Sequence, residues 1–275
     1  MDSVVHQAPG HPGVRLIDAR YQQFAFPRHF HLEYHIGLIV TGQQRYAAGG
    51  TRQLAGAGDI LLMAPEHVHD GASADDQGYS IRILTLDPAW LAEVSRDLSD
   101  GRQGLPSLNA LQLRHPQLQQ LLDGLHRQRD PLAFQSQLWE ALALLLGLGS
   151  TLKVGEHGQG FDPLRWRQLR DWLESRLDLP PSLEEMAAFT GLSPWQLLRR
   201  FRNHCGLPPQ QWLTQLRLER ALPRVLAGQP LSTIALDLGF YDQAHFSRLF
   251  RRTYGAPPRG LAQGTGVGRL ARAEG

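Results

Sequence analysis

Leu183-Glu184-Glu185-Met186-Ala187 and Leu231-Ser232-Thr233-Ile234-Ala235 are two copies of one short segment, 48 residues apart. Gly191 and Gly239 keep that offset. Past the glycines the offset becomes 49: Leu197 matches Phe246, Arg199 matches Arg248, Phe201 matches Phe250, Gly206 matches Gly255, and Pro208-Pro209 matches Pro257-Pro258. One residue has been added within the second turn.

Each copy follows the logic of a helix-turn-helix. A short helix carries a small residue, Ala187 or Ala235, where the next helix must cross closely. A glycine then permits a tight turn. An apolar residue, Leu192 or Phe240, plugs the gap between the helices. The second helix starts at a capping residue, Ser193 or Asp242. Its inner face is apolar: Leu197 and Phe201 in one copy, Phe246, Leu249 and Phe250 in the other. The outer face is left with Trp195, Gln196, Leu198, Arg199 and Arg202 in the first copy, and with Gln243, Ala244, His245, Ser247, Arg248, Arg251 and Arg252 in the second. Arginine and glutamine read guanine and adenine edges in the major groove of DNA. Solvated arginines on a plain helical bundle would explain one such unit as readily. Two copies with matched small, glycine, apolar and arginine positions favour DNA binding.

Charge agrees with that reading. The 275-residue chain carries a net charge of only +2. Between Leu164 and Leu261, however, fourteen arginines stand against eight acidic residues, a local surplus of six. A basic surplus on the second helices is the electrostatic footprint of a phosphate-binding surface. Lys153 is the only lysine, a bias that base composition of the genome explains as well as function does. Cys205 is the only cysteine, so an internal disulfide and a cysteine-based zinc site are excluded. The first residues lack a basic stretch followed by an apolar run, and the longest apolar stretch, Leu138 to Leu148, is shorter than the roughly 20 residues that span a bilayer. A cytoplasmic protein with no membrane partner is the expectation.

Upstream, residues 14 to about 86 read as short strands. His35–Val40, Ile60–Met63 and Ile81–Leu86 are largely apolar, and turn signals lie at Thr41-Gly42, Gly49-Gly50, Gly56 to Asp59 and Asp75 to Gly78. This spacing suggests a sandwich or barrel. From Pro88 the period becomes helical, with leucine stripes over 111–127 and 131–148. Gly155 to Gly160 is a polar, glycine-rich break. The expected fold is α+β in two domains: a β-barrel followed by helices over 14–150, a linker at 151–162, and an all-α domain at 163–262 with helix-turn-helix units near 183–206 and 231–255. A disordered tail, 263–275, completes it.

The C-terminal region resembles the AraC/XylS transcription regulators from about 164 to 261. The motif includes Arg217 and Ala221 on a linking helix, Ile234-Ala235, Gly239-Phe240, Phe246-Ser247-Arg248-Leu249-Phe250-Arg251, Gly255 and the terminal proline pair. The resemblance implies two units joined by one helix and seated in neighbouring major grooves, about 34 Å apart. It also implies base contacts from Trp195, Leu198 and Arg199, and from Gln243, Ala244, His245 and Arg248. Pro223 lies inside the linking helix expected from Pro209 to Ala227, where a kink is expected.

The stretch Arg28 to His35, followed by Gly58-Asp59 and by Pro65-Glu66-His67-Val68-His69, resembles a cupin barrel in its AraC-type ligand-binding form. The resemblance implies that this domain binds a small-molecule effector, with His29, His31, Glu33, His69 and Arg82 as pocket candidates. His29 and His31 face one side of a strand. With His69 they are the ligands of a metal, if one binds; pocket lining and plain structure are the alternatives, and no cofactor is expected. The family likeness further implies a homodimer through the helices after the barrel, engagement of RNA polymerase, and activation of transcription. The sequence shows no Ser/His/Asp set, phosphate loop or paired carboxylates, so no enzyme is expected. A metal-dependent cupin enzyme fused to a helical domain, and a DNA-binding protein without ligand control, are the competing readings.

Overall fold

In a computed structural model, residues 2–7, 11–101, 108, 110–150, 152, 160–254 and 257–262 are described. The chain divides into two compact units, Met1–His157 and Gly158–Gly275. The linker expected at 151–162 lies mostly outside the described residues, as do the tail 263–275 and Gly255.

The first unit is a rolled antiparallel sheet. Its strands are β1 (Ser3–Gln7), β2 (Val14–Tyr21), β3 (Phe26–His29), β4 (Tyr34–Ala48), β5 (Thr51–Gly56), β6 (Ile60–Met63), β7 (His69–Ser73), β8 (Tyr79–Leu86) and β9 (Gln112–Leu113). The main path runs β1-β2-β8-β4-β6-β9, while β3, β7 and β5 join through the far half of β4. Strand β4 therefore belongs to both layers: Tyr34 to Gly42 pairs with β8, and Gln43 to Ala48 pairs with β5. The sequence signal at Thr41-Gly42 marks a bend within this strand and not its end. The register shifts there, Gly42 has φ +72°, and a Cβ on it would lie 2.1 Å from the Gly78 carbonyl oxygen. Strand β1, short and mostly exposed, was not legible as a strand in the sequence.

Period-two alternation gives the sheet two apolar faces. Ala19, Tyr21, Ile39, Tyr46, Leu61, Met63, Tyr79 and Ile81 cluster inside the roll, with Ile17 and Ile83 packed against them. The residues between them on each strand, such as Leu16, Leu62 and Leu84, are buried on the other side. Among the described residues, three helices join the sheet in this unit: α1 (Pro88–Leu98), α2 (Pro116–Leu125) and α3 (Pro131–Gly149). The stripe expected over 111–127 is thus shorter. His115 caps α2 ahead of Pro116, Gln112-Leu113 form a strand against β6, and Leu111 packs on the inner cluster. Helix α3 is long and apolar enough to cross a membrane, but 67% of its apolar window is buried within the unit. That burial accounts for its composition as a core helix.

The second unit is all helical: α4 (Pro163–Glu174), α5 (Leu183–Thr190), α6 (Pro194–Cys205), α7 (Pro209–Leu226), α8 (Leu231–Asp237), α9 (Gln243–Tyr254) and α10 (Pro258–Ala262). Sequence chemistry sets the boundaries. Ser182 with Glu185, and Ser193 with Gln196, form reciprocal capping boxes at α5 and α6. The Asp242 carboxylate accepts the His245 backbone N–H at α9. Helix α7 continues through Pro223, which sits three residues before its last residue, so one intrahelical bond, to the Glu219 carbonyl, is forgone.

Candidate functional site

In the helical unit, the two repeats build two reading helices, α6 and α9. Ala187 and Ala235 are buried, at 3% and 2% exposure, where the helices of each pair cross. Leu197 and Phe201 on α6, and Phe246 and Phe250 on α9, are fully buried. Each such side chain contributes about 2–3 kcal/mol of apolar burial. That packing fixes which face is left outward. Arg202, Ala244, Arg248, Arg251 and Arg252 are exposed, and Trp195, Gln196, Arg199, Gln243 and His245 are half-buried. The Arg199 guanidinium lies over the Trp195 ring, 5.9 Å from its centroid.

Two candidates are placed differently from the sequence reading. Leu198 is 2% exposed, so it belongs to the core of the unit and not to the outer face. Gln196 folds back, its Oε1 accepting the Ser193 backbone N–H at 3.3 Å, which makes it a helix cap first.

Helix α7 holds the two pairs together. Arg217, buried at 5% exposure, donates from Nε and Nη2 to the Leu177 carbonyl oxygen at 3.0 and 2.8 Å. The same guanidinium lies over the Phe240 ring, 5.9 Å from its centroid. Gly239, at φ +68°, is pressed against this point: a Cβ there would lie 2.4 Å from the Leu177 oxygen and 2.6 Å from the Asp178 oxygen. Further ties run from Arg220 to Glu174 on α4, from Arg224 to Asp237 on α8, and from the Tyr254 hydroxyl to Glu219 at 3.2 Å. The Trp212 ring of α7 also lies 5.9 Å from the Phe201 ring of α6, so both helix pairs are anchored to one rod.

In the first unit, the roll forms a half-open cavity of about 180 Å³. Strand parity selects its walls. Ile17 and Tyr21 from β2, Tyr79, Ile81 and Ile83 from β8, and Leu61 and Met63 from β6 face inward. One region is polar: His29, His31, His35 and His69 meet there, with Gln44, Tyr46 and Asp70 nearby. The His31 and His35 rings stack 3.7 Å apart at 7°, and the His29 and His69 ring centroids are 4.5 Å apart. Burial, reinforced by the neighbouring imidazoles, pushes His31 down to about 4 and His35 to about 3. Burial also lowers His69. These three rings are therefore uncharged near neutral pH. Nδ1 of His29 lies 2.8 Å from the Pro27 carbonyl, and Nδ1 of His69 lies 2.8 Å from the His67 carbonyl. The neutral His69 ring meets its carbonyl by donating, so its proton sits on Nδ1 and its Nε2 keeps a lone pair.

His29, His31 and His69 each offer a ligand atom, all within 4.8 Å of one another. Zinc–nitrogen bonds of about 2.0–2.1 Å put tetrahedral ligands roughly 3.3 Å apart. The set thus fits a divalent ion in donor type and needs small side-chain rotations to close on one. Glu33 and Arg82 do not line the cavity. Glu33 pairs with Arg15. Arg82 lies between Ile81 and Ile83 on β8, so it projects to the opposite face, where it pairs with Asp18 at 2.8 Å and with Asp123. Asp18 also meets His126 Nδ1 at 3.1 Å. His35, Gln44 and Asp70 are lining residues that the sequence reading left out. Parity with His29 and His31 does not reach them, but parity with Gly37, two residues on in the same strand, places His35 inside.

Comparison with known proteins adds the following. Residues 11–148 match the family profile of the AraC-like ligand binding domain, and residues 186–264 match that of a helix-turn-helix domain. The chain is 29% identical over 258 residues to the HTH-type transcriptional activator RhaS of Klebsiella pneumoniae (strain 342), covering 90% of this chain and 91% of that protein. It is also 29% identical to RhaS of Yersinia pestis bv. Antiqua (strain Angola), covering 89% and 92%. Among solved structures, apo ToxT from Vibrio cholerae aligns over 92% of this chain and 98% of its own, at 13% identity and a TM-score of 0.41.

Proposed function

Because the chain belongs to the AraC family of helix-turn-helix transcription regulators with an N-terminal ligand-binding domain, we propose that it activates transcription by seating α6 and α9 in successive major grooves of a promoter, under the control of a small molecule held in the barrel cavity. The observation that carries the reading is the pair of matched, capped helices anchored to α7, each presenting arginines outward. Arg199, Arg202, Arg248 and Arg251 supply guanine and phosphate contacts, while Trp195, Gln243, Ala244 and His245 complete the two surfaces. His29, His31, His35 and His69 line the effector site. A homodimer, contact with RNA polymerase and a cytoplasmic location belong to the same proposal.

Footprinting on the DNA beside the gene tests it. Arg199→Ala and Arg248→Ala should each weaken operator binding by about 1–3 kcal/mol and relax preference at separate base positions. Uniform weakening at every sequence, or none, would remove base reading by these helices.

The three convergent imidazoles favour one second reading, a divalent metal in the cavity. His29, His31 and His69 would hold it through nitrogen and supply a Lewis-acidic centre. Metal analysis of the native protein, with His29→Ala and His69→Ala alongside, decides between the two.

A further inference from the structure

The hydrogen-bonding character of the cavity specifies its ligand more narrowly than size alone. This inference rests on the reading of the barrel as the effector site. The His69 ring turns its Nδ1 toward a backbone carbonyl, which leaves its Nε2 lone pair for the interior. Gln44 is 9% exposed, lines the cavity, and its Oε1 has no hydrogen-bond partner among the described residues. A buried acceptor in that state carries an unpaid desolvation penalty that a donor from a ligand would relieve. Asp70 is already engaged, accepting the Ala47 backbone N–H at 2.6 Å. Among the described residues, no lysine or arginine lines the cavity. Arg82, the cation expected there, faces the other side of β8 and holds Asp18 and Asp123.

Among the buried lining atoms of the described residues, the one without a partner is thus an acceptor, Gln44 Oε1, and most of the remaining wall is aliphatic and aromatic. A carboxylate or phosphate ligand brings no donor to that oxygen and meets no lysine or arginine side chain among the described lining residues. A sugar brings many hydroxyls, most of which would face Ile17, Ile81, Ile83 and Met63. From these observations we infer that the effector is a compact, uncharged, mainly apolar molecule carrying a hydroxyl group, which it donates to Gln44 or to an imidazole Nε2. The volume agrees: about 180 Å³ here, where a cavity of roughly 150 Å³ holds benzene.

Three probes of nearly equal size separate the alternatives in calorimetric titration of the full chain: benzyl alcohol (a neutral donor), anisole (neutral, no donor) and benzoate (an anion, no donor). Binding should fall in that order, with benzyl alcohol at least fivefold tighter than anisole and at least tenfold tighter than benzoate. Gln44→Leu, which keeps the bulk and removes the acceptor, should reduce the preference of benzyl alcohol over anisole by threefold or more. Benzoate binding as tightly as benzyl alcohol overturns the inference, as does an unchanged preference in Gln44→Leu or saturable binding of none of the three. Ile83→Trp, which fills the cavity, separates this from the underlying reading. If benzoate binds and is lost in Ile83→Trp, the ligand class is wrong and the cavity stands. If binding survives Ile83→Trp, the site itself lies elsewhere.

Discussion

Gly191 and Gly239 occupy the same position in the two repeats, with nearly the same backbone, at φ +64° and +68°. Their surroundings differ. A Cβ at Gly191 meets nothing within 4 Å, whereas one at Gly239 would lie 2.4 and 2.6 Å from two backbone oxygens and 2.7 Å from Arg217 Nη2. Alanine at either site brings the left-handed penalty of about 1–2 kcal/mol. At Gly191 that is the whole effect. At Gly239 the loop carrying Leu177 and Asp178 must also retreat. That adds about 1–3 kcal/mol of overpacking and loosens the Arg217 hydrogen bonds. The totals are about 1–2 kcal/mol for Gly191→Ala and about 2–5 kcal/mol for Gly239→Ala. At roughly 4 °C per kcal/mol for a unit of this size, the melting transition of the helical unit should drop by about 4–8 °C in the first case and by about 8–20 °C in the second. Differential scanning calorimetry of the full chain measures both, with operator DNA added to identify the transition of the DNA-binding unit. Equal losses in the two variants would refute the docking of the second turn against the Leu177–Asp178 loop, because backbone strain alone would then account for both.

Leu198→Ala should lower stability by about 2–4 kcal/mol in chemical unfolding, as for other buried leucines, while leaving the salt dependence of DNA binding unchanged; a change in that slope with normal stability would return Leu198 to the interface. His31 and His35, held down to about 4 and about 3, take up protons in the folded barrel later than in the unfolded chain. The stability they contribute is complete above the ordinary imidazole value of about 6.5 and is lost as pH falls toward 4 and then 3. Circular dichroism melts over that range should show the loss, and His35→Phe should flatten it; a melting temperature that stays constant from pH 6.5 to 4 contradicts the burial of these rings. Arg82→Met leaves Asp18 with His126 and Asp123 with Arg127, and should weaken the barrel unit by about 1 kcal/mol in urea unfolding, with benzyl alcohol affinity in the same variant preserved within twofold.

The legible and illegible parts of the chain differ in how many residues each assignment needs. The helix-turn-helix pair could be read because small, glycine, apolar and arginine positions recur together, so each copy corroborates the other. The repeat also misled at one point. Leu198 corresponds to Ser247, which is half-buried, and the outward reading of that position does not survive a leucine that finds room in the core. In the barrel, facing depends on strict parity within strands whose ends and bends the sequence left open. Arg82 looked like a pocket cation because it sits amid pocket residues, yet one residue of offset turns it to the other face. Glu33 looked like part of the histidine cluster by proximity in sequence, and Arg15, eighteen residues earlier, captures it. The bend at Gly42 hid the length of β4, and with it the inward placement of Gln44 and Tyr46. The start of α2 was missed because Pro116 and the His115 cap outweigh the leucine stripe that runs upstream of them.

The anchoring of both helix pairs to α7 has a consequence for the promoters this protein can use. With Arg217, Arg220 and Arg224 fixing the rod to its neighbours at three levels, the distance between the two reading surfaces is set like the gap of a caliper. A single base pair inserted between the half-sites rotates one of them by about 35° around the duplex. The bend or twist needed to restore alignment then falls on the DNA. Point changes inside a half-site can drift one at a time, but its spacing to the other half is inherited as a unit.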